Sequence, residues 1–139
     1  MASTSAYASL KALVTGAVTP LGVYDYDEIE PVLQQGSTKF VVLEELTSDE
    51  AVIGIGDPTN ICSRENSLVT VYCFTPAPES SSAARTLAEQ VQQAIRFHRA
   101  AHFRIRRVSP PEMGNLNDGL WSFAMIDVNV ELDSFAAAS

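Results

Sequence analysis

Apolar and polar positions recur with two different periods along this chain, and each change of period marks an element boundary. Tyr7, Leu10, Val14 and Ala17 recur at helical spacing; Ser3, Thr4 and Ser5 offer capping oxygens before them, and Pro20 closes the pattern. Val23-Tyr24 begins a short extended piece. Phe40-Val41-Val42-Leu43 follows Gly36 and Ser37 and is apolar on both faces, which predicts a strand covered on both sides. Leu68-Val69-Thr70-Val71-Tyr72-Cys73-Phe74 predicts a second strand, stopped by Thr75-Pro76-Ala77-Pro78. A long helix starts near Ser80 to Ser82 and carries the stripe Ala84, Leu87, Ala88, Val91 and Ile95, continued by His98. Arg85, Glu89, Gln92 and Gln93 take its wet side. Phe103-Arg104-Ile105-Arg106 alternates as a strand with one wet face. Pro110-Pro111, Gly114-Asn115 and Asn117-Asp118-Gly119 then mark turns.

The last element, 120–132, changes character along one face. Ile126, Val128, Val130 and Leu132 point one way, and Asp127, Asn129 and Glu131 point the other. Trp121, Phe123 and Met125 share the face of those polar residues, so something must cover the first half of that face. A helix of the same chain or another subunit would serve.

The order helix, strand, strand, helix, strand, strand predicts an α+β fold: a mixed, mostly antiparallel sheet of about four strands with two main helices packed on it. One domain spans 1–139, with 134–139 expected to fray. The stretch 47–67 is broken by Asp49, Glu50, Gly54, Gly56, Asp57, Pro58 and Asn60. That composition predicts a long loop, mobile in a free subunit and ordered in an assembly.

Composition narrows the function classes. Apolar residues make up 46% and charged residues 19%, as in an ordinary globular domain. The net charge of −8 argues against tight wrapping of nucleic acid, which requires Lys and Arg to neutralise phosphates. No stretch approaches the roughly 20 apolar residues of a membrane span. Met1-Ala2-Ser3-Thr4-Ser5 lacks the basic and apolar regions of a leader, so none is expected. Cys62 and Cys73 form no CxxC pair and are expected to be reduced, Cys73 as a buried small hydrophobe.

Candidate chemistry is sparse. Asp25, Asp27, Glu28 and Glu30 offer oxygen ligands, but no calcium-loop spacing accompanies them, and a solvated acidic loop is the simpler reading. Ala51-Val52-Ile53-Gly54-Ile55-Gly56 faintly resembles a dinucleotide-binding turn, but Thr59 stands where the third glycine belongs. His98 and His102 have helical metal-ligand spacing without a third ligand, and nothing specifies that Cys62 and His98 meet. The expectation is a non-enzymatic protein with no catalytic residues, cofactor or metal. Charge is uneven: Arg96, Arg99, Arg104, Arg106 and Arg107 cluster, while Lys39 and Arg64 alone oppose the acids between Asp25 and Glu65. In a homo-oligomer, such patches can face each other between neighbours.

The element order and several local sequences carry a resemblance across most of the chain. An N-terminal helix with Leu10 and Leu13 precedes Val23-Tyr24-Asp25, then Phe40-Val41-Val42-Leu43, a broken acidic stretch and Leu68-Val69-Thr70-Val71-Tyr72. The helix from Ala83 to Phe97 follows, and Gly119-Leu120-Trp121-Ser122 leads into the terminal strand. This chain resembles the tail terminator (tail completion) proteins of long-tailed bacteriophages, the family of the lambda minor tail protein U. The arginines from Arg104 to Arg107 depart from that pattern.

The resemblance implies a virion protein made in the host bacterial cytoplasm. It would form a homo-oligomeric ring, a hexamer, at the head-proximal end of the tail. Its partners would be itself, the tail tube protein and a head-completion or connector protein. DNA would pass through the channel without specific binding, and no membrane would be involved. Within that picture Trp121, Phe123, Met125, Arg104 and Arg106 are candidates for the subunit interface. Asp49, Glu50, Asp57 and Arg64 are candidates for a tube-contacting loop. Competing readings are another phage neck or tail component and a cytosolic α+β domain that binds a small ligand.

Overall fold

A computed structural model describes residues 6–19, 21–29, 39–57, 60–76, 81–96, 98, 103–116 and 121–136. The elements are helix α1 (Ala6–Val18), strand β1 (Val23–Asp25), a 3-10 turn (Tyr26–Glu28), β2 (Phe40–Asp57), β3 (Asn60–Pro76), helix α2 (Ser81–Arg96), β4 (Phe103–Val108), β5 (Glu112–Leu116) and β6 (Trp121–Ala136). They form an α+β fold whose sheet has six strands, more than the four predicted. Its order is β1-β2-β3-β6-β4, with β5 also pairing β6. Among the described residues, β1 pairs parallel with β2 and the other pairs are antiparallel.

Both helices lie on one face, as their sequence stripes dictate. Leu10 and Val14 of α1 and Ala84, Ala88, Val91 and Ile95 of α2 are fully buried. They meet Val41, Leu43, Val69, Val71, Cys73, Ala124, Ile126, Val128 and Val130 of the sheet. Gln92 departs from its predicted wet position: it is 8% exposed, and its Nε2 donates to the Ser109 carbonyl at 3.2 Å. The proposed caps Ser3 to Ser5 lie outside the described residues. At β1, Asp25 accepts hydrogen bonds from the Tyr7 hydroxyl and from Lys11, which clips α1 to the sheet edge.

The predicted loop 47–67 is instead the greater part of a long β-hairpin. Backbone pairing of β2 with β3 runs from Phe40↔Phe74 to Asp57↔Asn60, with irregularities near Leu46, Ile53 and Gly56. Each inserts a residue and bends the strand, so polar and glycine-containing sequence pairs without obeying strict alternation. Of the tail 134–139 expected to fray, residues 134–136 continue strand β6, with Ala136 opposite Ile61, and 137–139 lie outside the described residues. The segment from Glu112 to Leu116, read from sequence as a turn, is strand β5. Gly114 permits it: an added Cβ would stand 2.5 Å from Cζ of Phe123, its cross-strand partner.

Candidate assembly surface

The sheet face away from the helices divides into an aromatic half and a charged half. In the first, Phe40, Phe74 and Phe123 occupy adjacent positions across three strands, and Val42, Tyr72 and Met125 form the next row. Phe40 and Phe74 stack at 5.0 Å, and Trp121 meets Phe40 edge-on at 5.2 Å. Phe40, Val42, Phe74 and Trp121 are nearly inaccessible, with Tyr24, Ile29, Tyr72 and Phe123 packed around them. Cover for Trp121 therefore comes from its own chain; it is 4% exposed and presents little surface to another subunit. Phe123 and Met125 are half-buried. Tyr72 donates its hydroxyl to Glu44 at 3.1 Å, and burial together with that carboxylate pushes its pKa up to about 12.

The charged half carries a network that engages Arg104 and Arg106 of the arginine cluster. Arg64 of β3 donates to Asp133 at 2.8 Å, and Arg104 of β4 reaches both Glu131 and Asp133 at 3.0 Å. Arg106 lies 3.3 Å from Glu131 and stays more than half exposed. Arg104 is thus engaged within the chain, and Arg64 lies in strand β3, ion-paired across to β6. Arg107 is exposed. It lines a pocket of about 360 Å³ with Leu68, Ser109, Asp127 and Asn129.

Asp133 is held down at about 2, first by the Arg64 hydrogen bond and next by Arg104. Because its folded pKa lies below the unfolded value, the network stabilises the fold above the ordinary carboxylate range. That contribution fades as pH falls from about 4 towards about 2. Arg64→Ala removes the main cause, so its acid-unfolding midpoint, followed by circular dichroism, should rise. An unchanged midpoint would mean that the network is not formed in solution.

Beyond the network lies the arm of the hairpin. β1 flanks β2 only at 41–43. From Glu44 to Asp57 the outer edge of β2 has no paired strand among the described residues. Residues 45–52 are exposed throughout, with Leu46 at 48% and Val52 at 62%. Asp49 and Glu50 are on this edge, and Asp57 ends the strand.

Other candidate chemistry stays dispersed. Asp25, Asp27 and Glu28 bring oxygens within 4.8 Å of one another. Asp25, however, is already bonded to Tyr7 and Lys11, and Glu28 accepts from the Asp25 amide at 2.9 Å. The tightness of that group is explained by helix docking and capping. Cys73 is fully buried, and burial raises its thiol to about 12. Cys62 is half-buried on the hairpin arm. His98 packs edge-on against Phe103 at 5.8 Å. His102 and Arg99 lie outside the described residues. Among those described, no helix is long and apolar enough to cross a membrane.

No family model matches the chain. No curated protein matches it either. Among solved structures, a chain titled "Virion of native gene transfer agent (GTA) particle" is similar at a TM-score of 0.42 and 19% identity. The match covers 91% of this chain and 86% of that one. A likeness of that strength carries no conclusion about what this chain does.

Proposed function

We propose that this chain is a non-enzymatic structural protein of a phage-like virion. It assembles as a homohexameric ring at the head-proximal end of a tail tube, ends tube polymerisation there and offers the joining surface to the head. The observation that carries the assembly reading is the outer edge of β2 from Glu44 to Asp57, which has no paired strand among the described residues. A strand that long leaves a row of backbone donors and acceptors ready to pair with another chain. The resemblance of the sequence to tail terminators gives that self-association its place. The tube protein, a head-completion or connector protein and further copies are then its partners. The charge of −8, multiplied around a ring, keeps DNA moving through the channel without specific binding.

The test is light scattering on the purified protein, together with electron microscopy. The expected result is a closed particle of about six times the 15.0 kDa chain mass. A monomer at every attainable concentration would overturn the reading. Open-ended filaments would place the chain among tube proteins, because a head-to-tail contact that fails to close propagates.

A further inference from the structure

Among the described residues the sheet has a second edge without a paired strand, that of β4, and its level, direction and charge match the first. Resting on the assembly reading above, we propose that the β2 edge pairs with the β4 edge of a second copy of this chain. Neighbouring sheets then continue into one another.

Level comes from the register. Asp49, Asn66, Glu131 and Arg104 occupy one row across β2, β3, β6 and β4. Thr47, Leu68, Asn129 and Arg107 occupy the next row on the same face. Residues 45–50 of β2 and the whole of β4 therefore stand at the same height on opposite sides of the sheet. Above that height, β1 covers β2 on one side and β5 covers β6 on the other.

Direction follows from the pairing. β2, β3, β6 and β4 alternate up and down. Placing β4 of one copy beside β2 of the next continues that alternation, so the new pair is antiparallel, the ladder used by most of this sheet. Such a contact joins two different surfaces, and it therefore builds rings or filaments of the kind the assembly reading requires.

Charge selects the mate. The β2 edge exposes Glu45, Asp49 and Glu50, and the β4 edge exposes Arg106 and Arg107. Pairing β2 with β2 would set carboxylates against carboxylates, and β4 with β4 would set arginines against arginines, both unfavourable. Asp49 and Arg107 occupy the same face of the sheet, and the pocket beside Arg107 leaves room for an incoming side chain.

The experiment reverses each edge separately. Asp49→Arg/Glu50→Arg and Arg106→Glu/Arg107→Glu are each purified alone, mixed, and combined in one chain. Each reversed edge alone should raise the concentration for half-assembly by about 100-fold or more, because like charges then meet at the contact. Mixing the two variants, or combining all four substitutions, should restore assembly. In the wild type, amide exchange over 44–50 should slow on assembly. If Arg106→Glu/Arg107→Glu loses its native circular dichroism through repulsion from Glu131, Arg107→Glu replaces it. Wild-type assembly that survives both reversals unchanged overturns this pairing and leaves the assembly reading standing. A wild type that never assembles overturns both.

Discussion

Trp121→Ala should cost about 3–5 kcal/mol of folding stability, the usual range for a large buried aromatic. The indole is 4% exposed and lies edge-on to Phe40 at 5.2 Å and to Phe74 at 6.5 Å. Its removal opens a cavity beside the Phe40 and Phe74 rings and withdraws edge-to-face contacts along with buried area. Tyr24, Ile29, Tyr72 and Phe123 pack around the buried rings, so the cluster draws side chains from several segments of the chain. A loss of that size is a large part of the ~5–15 kcal/mol that holds a domain of this kind together. Urea titration followed by tryptophan-independent circular dichroism measures it. A cost under about 1 kcal/mol would mean that this cluster is loosely formed in the isolated chain, and that Trp121 is free to serve an interface after all.

On the opposite face, Leu10→Ala should cost about 2–5 kcal/mol. Leu10 is fully buried in the cluster that joins α1, α2 and the sheet. Its loss weakens the docking of α1, and with it the hold of Tyr7 and Lys11 on Asp25 at the edge strand β1. The same titration measures the change. An unaffected midpoint would show that α1 is not seated on the sheet. The two substitutions sit on opposite faces with no shared neighbour in the two clusters, so their costs should add.

The expected acid sensitivity of the Asp133 network bears on assembly as well as on stability. Arg104 and Arg64 hold Glu131 and Asp133, and Arg106 also faces Glu131. Protonating Asp133 would release positive charge beside the β4 edge. The basic edge is therefore set by how many arginines the chain itself leaves unneutralised, and Arg107 is the clearest of them.

Much of this architecture was legible in local sequence. Helix α2 was readable because Ala84, Leu87, Ala88, Val91 and Ile95 lie within a few turns of one another, so one face declares itself without any distant partner. The run Phe40 to Leu43 was readable because a strand buried on both faces needs unbroken apolar sequence, and Leu68 to Phe74 because its β-branched and aromatic residues favour a strand. The change from Trp121 to Asp127 on one face correctly required cover for the aromatic half. It could not say whose, since the rings that supply it come from β2 and β3.

What the tertiary structure alone decided depends on partners far away in sequence. The hairpin arm was read as a loop because Gly54, Gly56, Asp49 and Asn60 are poor strand formers. Pairing between long strands and three irregularities in register overrides that preference. Strand β5 hid behind Gly114-Asn115, a turn signal that a close-packed Phe123 ring turns into a strand requirement. The arginine cluster looked like a patch of free charge, yet Glu131 and Asp133, 27 and 29 residues from Arg104, claim part of it. Helix faces follow from neighbours within a few residues and so can be read along the chain. Strand pairing, ion pairing and the free edges of a sheet are set by which distant segments come to lie side by side, and only the folded molecule specifies that.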